Sequence, residues 1–278
     1  MTSRDGSRYL SKLAGAARRV LGPPRKAEIA ALNRTVRNQA KQIAWLQKLV
    51  TELLMESRGA VLMPPAHLRL HVGAQDSAAN FWNQGRLSSS RVLEVFGEAP
   101  EGPVLDWGCG SGRTLYWLYG HEAWRKAYRG CDVDAEAIAW LRKKMAGKAV
   151  KVSGDTPPLP YGDGEFAGLF GFSVLTHIHP ERHGDWLREI HRVLRRGGRA
   201  YLTVNGDARM TDARAFSDLS RATFARQGWY YETHEGHYKD ASIVSRDYLL
   251  AAAEGLFEVE EYRPEGYHEH DDMILRKL

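Results

Sequence analysis

The sequence predicts an α/β fold, in which helices cover both faces of a parallel sheet and a coiled-coil helix precedes it. Strand-like and helix-like runs alternate from about residue 100 onward, which is typical of a parallel sheet. A glycine-rich turn, VLDWGCGSGRT, begins at the first of these strands and occupies residues 104–114. A heptad pattern runs through residues 25–58. Together they predict a basic arm over 1–24, a coiled-coil helix over 25–58 and a globular domain over 59–278.

Composition and charge narrow the class of protein. The chain has 278 residues, 43% of them apolar, so it can bury one core and carry an extension. Two cysteines predict no disulfide framework and fit a cytoplasmic location, and no apolar run is long enough for a membrane span. Residues 1–60 hold 12 Lys/Arg against 4 Asp/Glu, a net +8, whereas the rest holds 27 against 30, a net −3. The globular part therefore lacks the basic surface expected of a nucleic-acid enzyme.

The basic arm ends at Gly22-Pro23-Pro24, which should stop a helix. Its apolar residues roughly share one helical face, and Lys12, Arg18 and Arg19 lie outside that set. Such a helix suits an anionic membrane surface, which would make the protein peripheral at the inner membrane. A solvated tail is the alternative.

The heptad segment predicts a parallel homodimer through residues 29–53. All four a positions are β-branched and three of the four d positions are leucine, a combination that favours two parallel strands. The a positions are Ile29, Val36, Ile43 and Val50, and the d positions are Leu32, Gln39, Leu46 and Leu53. The polar Gln39 would fix the register. The alternative is one amphipathic helix folded onto the domain.

The alternating elements can be placed by their patterns. Strands are predicted at PVLDW, YRGCDV, AVKVS, FAGLFGFSVL and RAYLTV. Helices are predicted over 112–120, over DAEAIAWLRKKM with Asp134 as its cap, and over PERHGDWLREIHRVLRR, ended by Gly197-Gly198. FEVEEYRP and DDMILRK are predicted to form an antiparallel pair joined by a histidine-rich loop.

The glycine turn predicts a cofactor without phosphates. Gly108, Gly110 and Gly112 are spaced G-x-G-x-G, unlike the G-x-G-x-x-G of dinucleotide sites. Asp106 ends the first strand, where its charge would point into the crevice, repel a pyrophosphate and favour a cation. S-adenosylmethionine, with its sulfonium and ammonium groups, meets that description. Asp132 after the next strand would accept hydrogen bonds from ribose, and Asp155 after the third would reach the adenine amino group. Each acid taken alone is better explained as a loop acid or a helix cap, but three ordered acids after three consecutive strands are much harder to obtain by chance.

These motifs resemble those of the class I S-adenosylmethionine-dependent methyltransferases over about residues 100–206. The motifs that carry the resemblance are VLDWGCGSGRT, GCDVD, GDTPPLPYGDGEF, FSVLTHI and WLREIHRVLRRGGRAYLTV; Ala167-Gly168 departs where the family usually has an acid. The resemblance implies a Rossmann-like seven-stranded sheet, whose antiparallel last strand lies between the fifth and sixth. It makes 59–278 the methyltransferase domain, with 206–245 as an insert on the acceptor side. The expected cofactor-binding residues are Asp106, Gly108, Cys109, Gly110, Gly112, Asp132, Val133, Asp155, Thr156 and Ser173.

The methyl acceptor is predicted to be a sugar hydroxyl of a glycan or glycolipid. SVLTHIHP, residues 173–180, lacks the Asn/Asp-Pro-Pro-Tyr and Pro-Cys signatures of DNA methyltransferases, so no nucleic acid is expected. The flanks PPAHLRLHVGAQDSAANFW and FEVEEYRPEGYHEHDDMILRK resemble methyltransferases that accompany glycosyltransferases in bacterial polysaccharide and glycolipid pathways. A glycosyltransferase is therefore a further partner for the arm. The alternatives are a natural-product small-molecule O- or N-methyltransferase, and a coiled-coil scaffold that retains the fold.

A neutral hydroxyl must lose its proton, and histidine suits that role near pH 7. His177 is the first candidate, because it follows the strand that borders the methyl group. His268 and His270 in the last loop come next, followed by His237 in the insert, whose aromatic residues Trp229, Tyr230, Tyr231 and Tyr238 could stack on a sugar. A structural, hydrogen-bonded role is the alternative for each histidine. A divalent metal bound by His268–Asp272 is a rival interpretation, because this segment contains suitable ligand types. The sequence has no second well-spaced ligand cluster, so we expect that no metal binds there.

Overall fold

The computed structural model describes residues 63–70, 78–211, 215–233 and 240–278, together with the single residues Thr35 and Gln39. The chain divides into two units, Met1–Arg58 and Gly59–Leu278, and almost all described residues belong to the second. The predicted arm lies outside the described residues, as does the coiled coil apart from Thr35 and Gln39, which are helical and exposed. No helix within the described ranges is both long and apolar enough to cross a membrane.

The second unit alternates helices and strands as the sequence predicts. Its helices are α1 (Ala66–Leu70), α2 (Ala78–Phe96), α3 (Leu115–Leu118), α4 (Glu122–Ala127), α5 (Ala135–Leu141), α6 (His183–Val193), α7 (Asp218–Gln227) and α8 (Arg246–Ala253). Its strands are β1 (Val104–Trp107), β2 (Tyr128–Asp132), β3 (Val150–Val152), β4 (Phe166–Gly171), β5 (Leu194–Val204), β6 (Trp229–Glu232), β7 (Ala241–Val244), β8 (Phe257–Tyr267) and β9 (His270–Lys277).

Seven strands form one sheet in the order β3-β2-β1-β4-β5-β9-β8. β1 pairs in parallel with β2 and β4, whereas β9 pairs antiparallel with both β5 and β8. The expected seven-stranded sheet, with its antiparallel strand between the fifth and sixth, is therefore confirmed. Because the carboxyl ends of parallel strands lie at one edge, the segments after β1, β2 and β4 meet there.

Two apolar cores, one on each face of the sheet, hold the helices in place. Side chains alternate between the faces of a strand, so Leu105 of β1 joins the core with Trp186 and Leu187 of α6. Its neighbour Val104 joins the opposite core, with Trp124 of α4. Each such fully buried aliphatic side chain contributes about 1.5–3 kcal/mol relative to exposure, so both faces stabilise the edge where the strands end.

Helix boundaries follow capping and strand pairing. The Asp134 side chain accepts hydrogen bonds from the backbone N–H groups of Glu136 and Ala137, which confirms the predicted cap of α5. The predicted end of α6 at Gly197-Gly198 is wrong, because the helix stops at Val193 and Leu194 already pairs with Phe166 of β4. The helix predicted over 112–120 is only Leu115–Leu118.

The predicted insert, 206–245, forms a small structure after β5. It begins with a 3-10 turn, Asp207–Thr211, and contains α7 and a two-stranded antiparallel sheet of β6 and β7. Met210, Phe216 and Ile243 form its own apolar cluster. A bridge between Asn205 and Ile243 joins this structure to the end of β5. The insert is thus held beside the edge where the strands of the main sheet end.

Candidate functional site

A cavity of about 740 Å³ opens at the carboxyl ends of β1, β2 and β4. This volume is in the range of about 300–1,000 Å³ that is usual for small-molecule sites. We call one part of its lining the cofactor half, formed by Gly108, Gly110, Asp132, Val133, Asp134, Asp155 and Arg182. The other part is the acceptor half, formed by Gln84, Arg113, Ser173, His177, Asn205, Arg209, Tyr231, Asp240, Tyr267, His268 and His270.

The glycine turn in the cofactor half is fixed by the neighbouring strand. The N–H groups of Gly108 and Cys109 both donate to the carbonyl of Cys131, at 2.8 and 3.0 Å. Gly108 has φ +77°, and a Cβ there would lie 2.5 Å from Cγ2 of Val174. Any larger residue would therefore be strained and would collide with Val174, so the turn requires glycine at this position.

Asp132 links the turn to the end of β2. Its Oδ2 accepts a hydrogen bond from the N–H of Gly110 at 2.7 Å, and its Oδ1 accepts one from the N–H of Asp134 at 2.8 Å. Burial raises the pKa of this carboxyl, although the backbone hydrogen bonds oppose the rise. A carboxylate oxygen has a second lone pair, so Asp132 can still accept from ribose hydroxyls. Val133 beside it is 41% exposed and offers an apolar surface at the cavity.

Asp106 is more deeply buried than the sequence predicts, and its role toward the cofactor stays a prediction. Its side chain is only 3% exposed, and it does not belong to the described lining of the cavity. The hydroxyl of Tyr128, on the adjacent strand β2, donates to its Oδ2 at 2.9 Å. Burial raises its pKa to about 7, against the effect of that hydrogen bond. Asp106 therefore supports the turn from beneath.

Three other predicted cofactor residues lie outside the cavity lining. Cys109 is buried, which raises the pKa of its thiol. Gly112 has φ +86° and packs against Leu141 of α5, where a Cβ would come within 2.5 Å of a methyl group. Thr156 is exposed on a neighbouring surface depression. Its loop is anchored to α6 by a 2.7 Å hydrogen bond from the N–H of Leu159 to Glu189.

Ser173 and His270 meet in the acceptor half. Ser173 has φ +57°, its N–H donates to Oγ1 of Thr203 at 2.7 Å, and its Oγ lies 3.2 Å from Nδ1 of His270. His270 is the first residue of β9, paired with Tyr267, so its predicted placement in a loop is wrong. Burial, helped by the positive charge of Arg209, lowers its pKa to about 4. His270 is therefore neutral at physiological pH.

His177 ends the 3-10 turn Leu175–His177 that follows β4. Its Nδ1 lies 3.1 Å from the carbonyl of Asp240. A carbonyl can only accept, so Nδ1 carries the proton and Nε2 the lone pair in the neutral ring. Burial lowers the pKa of His177, which favours this neutral form. The turn is held by the buried His183, whose Nε2 lies 3.0 Å from the carbonyls of Leu175 and Ile178.

The remaining predicted histidines differ in position. His268 lines the cavity, has φ +55° and packs edge-on against Tyr267, with ring centroids 4.6 Å apart. Burial lowers its pKa, and the charge of Arg113 adds to this effect. His237 lies outside the described residues.

The aspartates of the rival metal site are engaged elsewhere. Asp271 accepts hydrogen bonds from Tyr262 and from the N–H of Glu265. Asp272 pairs with Arg263 and accepts from Tyr201. Across the described ranges, no group of three His, Cys, Asp or Glu side chains is arranged to hold a metal ion.

Sequence reasoning missed several polar residues of the acceptor half. Asn205 directly follows β5, and its side chain donates to the carbonyl of Ser242 at 3.0 Å. Its position after a parallel strand, the rule that located Asp132, could have identified it. Arg209 in the insert, Gln84 on α2 and Arg113 after the glycine turn carry no comparable signal, because tertiary packing brings them to the cavity.

Comparison with known proteins finds a family to which part of this chain is similar. A family model described as a methyltransferase domain matches residues 104–198, a range that includes the glycine turn, Asp132 and His177. Residues 104–198 therefore match a methyltransferase domain, and the seven-stranded sheet around them has the arrangement expected of the class I S-adenosylmethionine-dependent enzymes. This match supports an enzyme whose cofactor is S-adenosylmethionine.

Individual relatives are more distant. A malonyl-[acyl-carrier protein] O-methyltransferase from Herminiimonas arsenicoxydans is 30% identical over 125 residues, which cover 45% of this chain and 44% of that protein. An uncharacterized methyltransferase, YodH, from Bacillus subtilis (strain 168) is 29% identical over 117 residues, 41% of this chain and 48% of that protein. The match thus spans less than half the length of these relatives.

Solved structures share the fold at low identity. The PH0226 protein from Pyrococcus horikoshii OT3 aligns with a TM-score of 0.53 and 15% identity, over 72% of this chain and 92% of that chain. A geranyl diphosphate C-methyltransferase from Streptomyces coelicolor A3(2) aligns with a TM-score of 0.50 and 14% identity, over 79% and 86%. These likenesses establish the fold alone.

Proposed function

We propose that the protein is an O-methyltransferase that transfers the methyl group of S-adenosylmethionine to a hydroxyl of a glycan or glycolipid. The observation that carries this proposal is His177, a neutral histidine of assigned tautomer at the cavity edge that follows β4. Bound S-adenosylmethionine supplies an electrophilic methyl group on its sulfonium. The residues of the chain bind it, orient the acceptor and accept the acceptor's proton.

The cofactor half suits an adenosyl group. Asp132 is held by two backbone N–H groups and keeps lone pairs for the ribose hydroxyls. The exposed side chain of Val133 gives an apolar contact for adenine, and Asp155 lies within the same lining for its amino group. The absence of Cβ atoms at Gly108 and Gly110 allows the backbone to approach the cofactor closely.

The two histidines His177 and His270 have different roles in the proposed reaction. A general base works best with a pKa near the operating pH, so His270, with a pKa of about 4, is a poor proton acceptor. We assign the acceptor's proton to Nε2 of His177. His270 and Asn205 serve to orient the acceptor, which supplies most of the expected rate acceleration through positioning. Tyr231, packed on His179 at 4.6 Å, offers an aromatic surface to a sugar ring.

Methylation of a small-molecule acid is the second candidate function. The relative from Herminiimonas arsenicoxydans is named for a malonyl acceptor, and Arg209 places a positive charge in the acceptor half. In this alternative the acceptor is a carboxylate oxygen, which needs no general base at pH 7.

Product analysis separates the two candidates. Full-length protein would be incubated with S-adenosylmethionine and either lipid-linked glycans, small phenols or malonyl-[acyl-carrier protein]. Mass spectrometry would then detect the added methyl group and its linkage. We expect a methyl ether on a glycan hydroxyl. Turnover of only the phenols or only the malonyl acceptor would contradict the glycan proposal and support the small-molecule alternative.

We also propose that residues 29–53 form a parallel coiled-coil homodimer, and that the arm over 1–24 meets an anionic membrane surface or a glycosyltransferase. The support is the heptad pattern and the local net charge of +8 over residues 1–60. Deleting residues 1–56 should give a monomer by light scattering that still binds cofactor. A truncated protein that remains dimeric would contradict the coiled-coil proposal.

A further inference from the structure

Arg209 lies in the 3-10 turn Asp207–Thr211 and lines the acceptor half. Its backbone N–H donates to the carbonyl of Gly206 at 3.1 Å, so the start of the turn is fixed. Among the described residues, the Arg209 side chain makes no ion pair and no hydrogen bond. Arg209 and His270 line the same cavity, and the positive charge of Arg209 is one cause of the lowered pKa of His270.

The nearby carboxylates have other hydrogen-bond donors. Asp207 in the same turn accepts from the backbone N–H of Arg246 at 3.4 Å. Asp240 accepts from the hydroxyl of Tyr231 at 2.8 Å, and Asp271 accepts from Tyr262. Arg209 therefore presents a cation to the cavity that these acids do not pair.

Charge is unequally distributed between the two halves of the described lining. Three carboxylates and one arginine line the cofactor half, whereas two arginines and one carboxylate line the acceptor half. These groups are Asp132, Asp134, Asp155 and Arg182 on one side, and Arg113, Arg209 and Asp240 on the other. An anion entering the cavity is therefore drawn to the acceptor half and repelled from the cofactor half.

We propose that Arg209 binds an anionic group, a phosphate or a carboxylate, carried by the methyl acceptor. This inference rests on the proposed function, because it assumes that the acceptor occupies this half of the cavity. The planar guanidinium can hold either anion through two parallel N–H···O bonds. Such a pair fixes orientation as well as position, so it would hold one hydroxyl of an acidic sugar or sugar phosphate toward His177.

The test compares neutral and anionic sugars on the cofactor-loaded protein. Full-length protein saturated with S-adenosylhomocysteine would be titrated by calorimetry with glucose, glucose 6-phosphate and glucuronate. We expect one or both anionic sugars to bind about tenfold or more tightly than glucose. Arg209→Gln should abolish that preference. Arg226→Gln is the matched control, since Arg226 is an exposed arginine on α7 of the same insert and outside the described lining.

The outcomes distinguish a phosphate from a carboxylate ligand. They also distinguish failure of the Arg209 inference from failure of the methyltransferase proposal. A preference for glucose 6-phosphate identifies a phosphate, and a preference for glucuronate identifies a carboxylate. Arg209→Lys, which keeps the charge and loses the planar fork, should retain part of the preference and so guards against a misfolded Gln variant. Equal binding of all three sugars, no binding of either anion, or an unchanged preference in Arg209→Gln overturns the inference. Failure of the wild type to bind S-adenosylhomocysteine overturns the proposed function itself.

Discussion

The cofactor half and the acceptor half of the cavity are built differently. In the cofactor half, Gly108, Gly110 and Asp132 bond to one another or to the adjacent strand through backbone groups. The acceptor half takes side chains from after β4, from the insert and from β9, among them His177, Arg209 and His270. The first half is therefore fixed by the sheet, whereas the second depends on how distant segments pack.

Because the two halves are built differently, substitutions in each half should change different properties of the protein. Changes in the cofactor half should act on cofactor affinity and on stability, because its polar groups are part of the supporting hydrogen bonds. Changes in the acceptor half should act on the rate of methyl transfer and leave cofactor affinity intact. The predictions below test that division.

The largest expected effect is on the rate of methyl transfer. His177→Ala should lower kcat by about 10²–10⁴-fold, because the acceptor's proton loses its base. The dissociation constant for S-adenosylmethionine should not change. Both are measured by S-adenosylhomocysteine release and calorimetry. His121→Ala is the control, since His121 precedes α4, makes no side-chain capping hydrogen bond there and is outside the described lining. Equal rates in the two variants would remove His177 from the reaction.

The next effect is on cofactor affinity. Asp132→Ala should weaken S-adenosylmethionine binding by about 1–3 kcal/mol, because the ribose hydroxyls lose an acceptor and the N–H of Gly110 loses its partner. Calorimetry measures the change, and Asp163→Ala is the control, since that exposed acid pairs with Arg192 away from the described lining. An unchanged dissociation constant in Asp132→Ala would mean that the ribose binds elsewhere.

The protonation of Asp106 should make the free energy of unfolding depend on pH. Its pKa rises from 3.8 in the reference state to about 7 in the fold. Between those values the folded protein holds a proton that the unfolded chain has lost, so the free energy of unfolding falls as pH rises toward 7. Asp106→Asn should remove this decrease. Denaturant unfolding of both proteins over pH 4–8 measures the difference, and parallel curves would show that Asp106 does not titrate in this window.

The smallest expected effect is at Thr156. Thr156→Ala should leave cofactor affinity unchanged, because its exposed side chain lies on the neighbouring depression beside α6. Asp155→Ala, one residue away and within the cavity lining, should weaken binding. A comparable loss in both variants, measured by calorimetry, would show that the cofactor half extends further along this loop.

The sequence predicts the cofactor half well where local chemistry decides the structure. Strand periodicity predicts the sheet, the cap at Asp134 and the glycine spacing are local signals, and Asp132 follows from its place after a parallel strand. Asp106 is the exception. Its burial depends on Tyr128, which reaches it from the next strand, and a contact across strands leaves no pattern in either segment.

The residues of the acceptor half are harder to predict from the sequence. His177 is found because it follows β4, but the Asp240 carbonyl that sets its tautomer is 63 residues away. Arg209 lies in a short turn without periodicity, and its role depends on facing His270 from another element. Residues that meet only through tertiary packing carry no common spacing.

The most direct test of the central claim is calorimetry of the full-length protein with S-adenosylmethionine. The arrangement of Gly108, Gly110 and Asp132 predicts saturable binding of one cofactor per chain. Binding should weaken in Asp132→Ala and persist in His177→Ala. Absence of any heat of binding at millimolar cofactor would contradict the cofactor half, and the methyl-transfer proposal with it.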